Sequence, residues 1–233
     1  MSEDFSQKHV VVTGGTGALG TAVVGALVEQ GATCHVTCYS ERELDQYTYA
    51  NHDRVHVTSG MDLTQEEVVV NYYASLPALW GSAHIAGGFA MAPLTETSFA
   101  DFQRMMSMNA STCFLSCREA VRSMRNTGEG GRIVNVAAKP ALIPVGGMVA
   151  YSASKAAVAS MTQSLGEELA SDGIFVNAIV PSVMDTPANR RGMPDADHRQ
   201  WPSVAAVAST IAFLLSPSNT ATRSGLVPVY GRS

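Results

Sequence analysis

What this chain lacks narrows its function first. It has no run of lysine or arginine and no interleaving of basic with aromatic residues. Its 15 Lys+Arg stand against 20 Asp+Glu, a formal net charge of -5 at pH 7. Nucleic acid and anionic membrane both require a basic surface, so neither is an expected partner. No apolar stretch approaches the length of a bilayer span. The opening segment, MSEDFSQKHVVV, is acidic and polar before it turns apolar, unlike a secretory leader, so a cytoplasmic location is expected. Cysteine is scarce: four residues, spaced Cys34-x3-Cys38 and Cys113-x3-Cys117 within apolar runs, where reduced cysteine behaves as a small core hydrophobe. A helix would bring Cys113 and Cys117 to one face, but the six histidines form no His-Glu-x-x-His and no paired ligand spacing. Neither a metal nor a disulfide is expected. No linker, low-complexity segment or internal repeat divides the sequence, so residues 1–233 read as a single domain.

What is present alternates regularly. The β-rich runs HVVVTG (His9–Gly14), TCHVTCY (Thr33–Tyr39), RVHVTS, GSAHIAGG (Gly81–Gly88), GRIVNVAA, IFVNAIVP and GLVPVYG read as strands. Between them lie helical patterns: Ala18–Gly31, a segment opening at Thr64–Glu67 and ending near Pro77, a long helix capped by Ser98 and Asp101 and reaching Asn126, Tyr151–Ser171, and Val204–Leu215. Ser40–Glu43 and Thr64–Glu67 both have the form of a capping box. The Pro/Asp/Arg-rich stretch Ser182–Pro202 interrupts the alternation. Strand–helix alternation predicts an α/β fold, a Rossmann-like doubly wound parallel sheet with helices on both faces. Ligands in such sheets bind at the carboxyl ends of the strands.

The motif TGGTGALG (Thr13–Gly20) lies at such an end, between the first strand and the first helix. Gly14, Gly17 and Gly20 supply a tight turn, a close backbone approach and close helix packing, with Thr16 and Leu19 between them. The helix N-terminus then offers free N–H groups and a positive dipole end to a pyrophosphate. At the end of the second strand an acid would hold the ribose 2′-hydroxyl of NAD, and an arginine the 2′-phosphate of NADP. The chain has Cys38, Tyr39, Ser40 and Arg42 there and no acid at the expected place. The reading therefore leans to NADP(H) over NAD(H), with Ser40 and Arg42 as phosphate contacts. Asp62, after the third strand, is placed to accept from the adenine amine.

Tyr151 and Lys155 are four residues apart and share one helix face. A free phenol titrates near pH 10 and is a poor acid/base at neutrality. A nearby ammonium favours its phenolate and makes it a usable general acid/base for hydride chemistry at a C–O or C–N bond.

Taken together, the glycine loop, Asp62-Leu63, IAGG (Ile85–Gly88), Asn109, IVNV, Tyr151-x-x-x-Lys155, Pro181 and Thr186 resemble the short-chain dehydrogenase/reductase family nearly end to end. The resemblance implies a nicotinamide-dependent oxidoreductase acting on a small molecule. Tyr151 would be the acid/base, Lys155 would bind the nicotinamide ribose and Asn109 would hold a water in a proton relay. Leu63, Ala86, Gly87, Pro181 and Thr186 would line the cofactor site. It also implies a homodimer or homotetramer assembled through the middle and Tyr–Lys helices. Three positions depart from the pattern: His84-Ile85 replaces an asparagine pair, Ser182 replaces the glycine after Pro181, and Ala138 stands where the family has its active serine. Losing that hydrogen-bond donor typically costs about 3–4 kcal/mol at an oxyanion, which points away from ordinary ketones. The same alanine, the Ala86-Gly87-Gly88 turn, Ala137–Leu142 and Asp185–Trp201 resemble the dihydropteridine reductase branch, whose substrate is an activated C=N system. Met193, Asp195, Asp197 and Trp201 lie in the stretch where the family builds its substrate-covering loop and are candidates for substrate contact; Trp201 would either stack on a flat ring or anchor the last helix to the core. A protein that binds the nucleotide without catalysis is the rival reading.

Overall fold

The computed structural model describes residues 5–233; the first four residues of the polar opening segment lie outside the described residues. Among the described residues seven strands form one parallel sheet: β1 (His9–Thr13), β2 (Thr33–Thr37), β3 (Val55–Thr58), β4 (Gly81–His84), β5 (Gly131–Val136), β6 (Ile174–Pro181) and β7 (Leu226–Val229), in the order β3-β2-β1-β4-β5-β6-β7. All six pairings are parallel, for example Val12 with Val36 on one side and Ala83 on the other. A strand buried on both faces needs apolar, β-branched residues without alternation, and the Val10-Val11-Val12 run of β1 meets that need with no exposed surface.

The helices α1 (Ala18–Val28) and α7 (Val204–Leu215) cover one face of the sheet, with Val23, Leu27 and Ile211 in its core. On the other face lie α2 (Glu66–Ala74), α4 (Thr112–Thr127) and α5 (Val149–Glu168), with Val69, Met124 and Val158. Each such fully buried side chain contributes roughly 1.5–3 kcal/mol. The strand order reverses between β1 and β4, so their carboxyl ends open a crevice.

The boundaries differ from the sequence pattern where long-range contacts decide. The long middle helix is not continuous: α3 (Phe99–Met105) passes into α4 through a π-helical segment, Met106–Ser111. Ser98 caps α3 as expected, accepting from the Asp101 N–H at 3.0 Å. The Ser40 capping box forms with both of its bonds. Its counterpart at Thr64 does not: α2 starts at Glu66, and the Thr64 hydroxyl instead donates to the Asp62 carboxylate at 2.7 Å. Strand β4 stops at His84, leaving Ile85–Gly88 as an extended loop. The stretch after β6 contains a short α-helix, α6 (Pro187–Gly192), capped by Thr186, and a single helical turn, His198–Gln200.

Candidate active site

A cleft of roughly 1520 Å³ opens across the carboxyl ends of the strands. One half is made of backbone. Gly14 adopts φ +63°, a left-handed turn that favours glycine. A Cβ on Gly20 would stand 2.3 Å from the Gly14 carbonyl oxygen, so helix α1 can dock against the turn only with glycine there. The N-cap of α1 is Gly17; no side chain caps it and no acid occupies the first turn. The first N–H groups of α1 are thus left for an anion, which fits a dinucleotide pyrophosphate. Thr37 Oγ1 accepts from the Gly14 N–H at 3.3 Å. Thr13 Oγ1 accepts from the Ile85 and Ala86 N–H groups at 3.0 and 3.2 Å, tying the loop after β4 to β1.

Of the residues expected to touch the cofactor, Gly14, Gly17, Leu19, Gly20, Tyr39, Asp62, Leu63, Ala86, Gly87, Lys155, Pro181 and Thr186 line this cleft. Thr16 lies beside it, donating to Glu43, while Ser40 and Arg42 stand outside the lining. Ser40 accepts from the Arg42 N–H at 3.3 Å as the cap of its short helix. Glu43, which the sequence reading uses only in the capping box, lines the cleft next to Tyr39. The Thr64 hydroxyl beside Asp62 holds its carboxyl below the usual carboxylate range.

Asn109, Lys155 and Tyr151 meet at the loop after β4. The π-helical segment turns Asn109 inward and buries it; its Oδ1 accepts from the Gly88 N–H at 2.9 Å and its Nδ2 donates to the Gly88 carbonyl at 3.1 Å. Nδ2 also donates to Ser154 Oγ at 3.0 Å, and that hydroxyl donates to the Tyr151 carbonyl at 2.7 Å. A Cβ on Gly87 would fall 2.5 Å from Asn109 Oδ1 and 3.4 Å from Lys155 Nζ, so both side chains press on that glycine. Lys155 Nζ donates to the Val136 carbonyl at 2.8 Å. Burial lowers the Lys155 ammonium to about 8 and raises the Tyr151 phenol to about 12. In both cases removal from water disfavours the charged form. At neutral pH this leaves a protonated phenol and a largely protonated lysine, a pair able to donate a proton to an atom gaining negative charge. Thr13 opens the glycine motif and Ser154 lies within Tyr151-x-x-x-Lys155, but the sequence reading gives neither hydroxyl this tethering part.

The other half of the cleft is made of side chains. Met91, Met108, Met148, Met184, Met193, Phe89, Val145 and Val183 line it, and Phe89 stands edge-on to Tyr151 with ring centroids 5.0 Å apart. Ala138, buried beside Ala137, lines the cleft and brings no hydroxyl. Within Ser182–Pro202 only part of the expected contact set reaches the cleft. Met193 lines it, whereas Asp197 caps a short helical turn and pairs with Arg199. Trp201 packs on His198, ring centroids 4.6 Å apart, and stands outside the lining.

Comparison with known proteins identifies the family. The family model described as short chain dehydrogenase matches residues 8–197. A sorbitol dehydrogenase from Cereibacter sphaeroides is 31% identical over 76% of this chain and 71% of its own. A cis-4-hydroxycyclohexanecarboxylate dehydrogenase from Sinomonas cyclohexanicum is 32% identical over 80% of this chain and 77% of its own. The solved structure of ElxO with NADP bound superposes with a TM-score of 0.87 at 21% identity, over 96% of this chain and 97% of its own, which is a likeness of fold. Matched to that family over most of its length and carrying a strand–glycine loop–helix unit with an uncapped helix end, the chain belongs to the short-chain dehydrogenases, oxidoreductases that use NAD(P)(H).

Proposed function

We propose that this enzyme reduces an activated, largely apolar cyclic substrate, a C=N, quinonoid or activated C=O compound, with Tyr151 as the proton donor. The observation that carries this reading is the wall opposite the cofactor half: Ala138 replaces a hydroxyl, and methionine, phenylalanine and valine predominate beside it, with Arg104, Ser107, Lys139 and Asn189 as its polar members. When bound, the reduced nicotinamide supplies the hydride. Tyr151, held protonated by burial, gives its proton to the substrate oxygen or nitrogen. The Lys155 ammonium takes a ribose hydroxyl and favours the phenolate left behind. Asn109, in the π-helical segment, positions Gly88 and Ser154 and is the member we assign to a proton relay. An ordinary ketone needs a second donor at its oxygen, which Ala138 does not provide; a substrate that already accepts hydride readily needs less such help. The relatives named for sorbitol and for a hydroxycyclohexane carboxylate act, by those names, on alcohols, and a cyclic substrate of that size suits this cleft.

The choice between cofactors turns on two neighbours. Arg42 would suit a 2′-phosphate and Glu43 a 2′-hydroxyl; with Cys38 where an acid would stand, we favour NADP(H). We also assign a cytoplasmic location, and pairing of copies through α4 and α5, where Phe114 and Val149 are each 50% exposed. Sedimentation would read that pairing directly.

The test of the reaction is oxidation of NADPH and NADH with quinonoid dihydropterin, cyclic imines and simple ketones, by wild type and Ala138→Ser. Wild-type turnover of imine or pterin, with ketone turnover weak in wild type and raised in the serine variant, is the expected result. An intact cofactor site without turnover of any of these compounds would replace the reading with a non-catalytic nucleotide sensor.

A further inference from the structure

Between β4, β5 and α4 the fold assembles a donor set of which the sequence spacing announces only the two sulfurs of Cys113-x3-Cys117. His84 ends β4, Cys113 and Cys117 lie on the first turns of α4, and all three are buried. The imidazole nitrogen and the two sulfurs lie within 4.8 Å of one another. Asn135 of β5 adds an oxygen: its Oδ1 is 2.8 Å from His84 Nδ1 and 3.5 Å from Cys117 Sγ. We propose that His84, Cys113 and Cys117, closed by Asn135 Oδ1, form a structural site for one thiophilic divalent cation, zinc in the first place.

Three observations carry this. The first is distance. Around a tetrahedral zinc, with Zn–S about 2.3 Å and Zn–N about 2.0–2.1 Å, a sulfur and a nitrogen ligand stand about 3.5 Å apart. Cys117 Sγ and His84 Nδ1 stand 3.4 Å apart. The second is the support of the histidine. Metal-bound imidazoles hold their other nitrogen in a hydrogen bond, and His84 Nε2 lies 2.8 Å from Ser82 Oγ, itself 3.1 Å from the Tyr73 hydroxyl. The third is what the two sulfurs cannot do. Residues four apart on a helix place their Cβ atoms about 5–6 Å apart, whereas a disulfide needs about 3.5–4.5 Å. Oxidation to a cystine would break the first turn of α4, while a metal bridges the two sulfurs without moving the backbone.

Charge balances as burial requires. Two thiolates and a divalent cation sum to zero, and a neutral cluster is what a dry interior tolerates. Binding sends the two thiol protons to solvent. The His84 hydrogen moves from Nδ1, where it faces Asn135 Oδ1, to Nε2, where it meets Ser82 Oγ. The Asn135 amide remains free to act this way because its Nδ2 donates to Thr162 Oγ1 at 2.9 Å.

The experiment uses the full chain, made in medium supplemented with zinc or cobalt and purified under reducing conditions without chelator, so that burial does not bar entry. One metal per chain is expected after gel filtration. The cobalt form should show a sulfur-to-metal charge-transfer band in the near ultraviolet, and removal of zinc by a strong chelator should lower the thermal midpoint. Cys34→Ala, whose thiol lies outside the cluster, should keep the metal; His84→Asn and Cys117→Ala should each lose at least tenfold in affinity and lose the midpoint shift. Wild type that retains no stoichiometric metal and shows no cobalt–thiolate band overturns the proposal, whether or not the variants fold. So does metal retained equally by wild type and His84→Asn.

Discussion

The two halves of the cleft are built by different means. The cofactor half is backbone: a glycine turn, an uncapped helix end and hydroxyls from β1 and β2 that hold the loops in place. The substrate half is flexible side chain, methionine above all, set on segments outside the sheet. Backbone geometry binds what every member of such a family shares, and a side-chain wall is free to change with the substrate. Methionine fills irregular space and repacks at low cost, so this wall accepts shape more readily than it dictates it.

That contrast can be broken or sharpened. The largest effect is expected at the seam, from Tyr151→Phe: kcat should fall about 10²–10⁴-fold while the cofactor Kd stays within about twofold, because only the proton donor is lost. Stopped-flow turnover beside a fluorescence titration of NADPH separates the two readings, and a parallel loss of cofactor binding would mean that the tyrosine shapes both halves. Next is Ala138→Ser, which adds a donor to the side-chain half and should raise kcat/KM for a simple cyclic ketone by about 10²-fold. In the backbone half, Gly20→Ala forces a Cβ against the Gly14 carbonyl; about a tenfold weakening of cofactor binding, with the thermal midpoint also lowered, is the expected pattern. A Gly20→Ala protein that binds NADPH normally would show the turn to be softer than its contacts imply.

The pH response is smaller and sits on Lys155. Burial lowers its ammonium to about 8, so the charge is present below that pH and is lost as pH rises through it, while Tyr151, at about 12, stays protonated throughout. Reduction measured as kcat/KM should therefore hold steady near neutrality and decline above about pH 8; a profile flat to pH 10 would contradict this. The smallest effect is expected from Glu43→Gln, which removes a negative charge from the ribose end of the cleft and should shift preference toward NADPH by about three- to tenfold, less at high salt. Equal kinetics with both cofactors before and after the change would place that carboxylate beyond reach of the ribose.

How much of this was legible in the sequence follows the same division. The seven strands, the glycine turn and the Tyr151–Lys155 pair were legible because each depends on residues near one another in the chain. The π-helical segment at Met106–Ser111 was not, since it contains no proline or glycine; what accompanies it is the grip of Asn109 on Gly88, twenty-one residues earlier. Thr64 reads as a cap but serves Asp62, because the chain turns one residue later than the box requires. Trp201 has the chemistry of a stacking platform, and its packing on His198 was not legible. The His84–Cys113–Cys117 cluster draws on β4 and α4; the spacing of the two cysteines is legible, and the approach of His84 from another element is not.

The two ends of the sheet carry a consequence for self-association. A sheet edge is an open template on which other strands can add, and an exposed flat edge invites aggregation. Here one edge, β3, is only four residues long. At the other, β7 contains Pro228, paired in register with Val180. Since Ala178 N–H bonds to Gly225, the phase of the ladder turns Pro228 outward, where a further strand would look for an N–H and find a ring. The chain thus carries a built-in stop against runaway sheet growth.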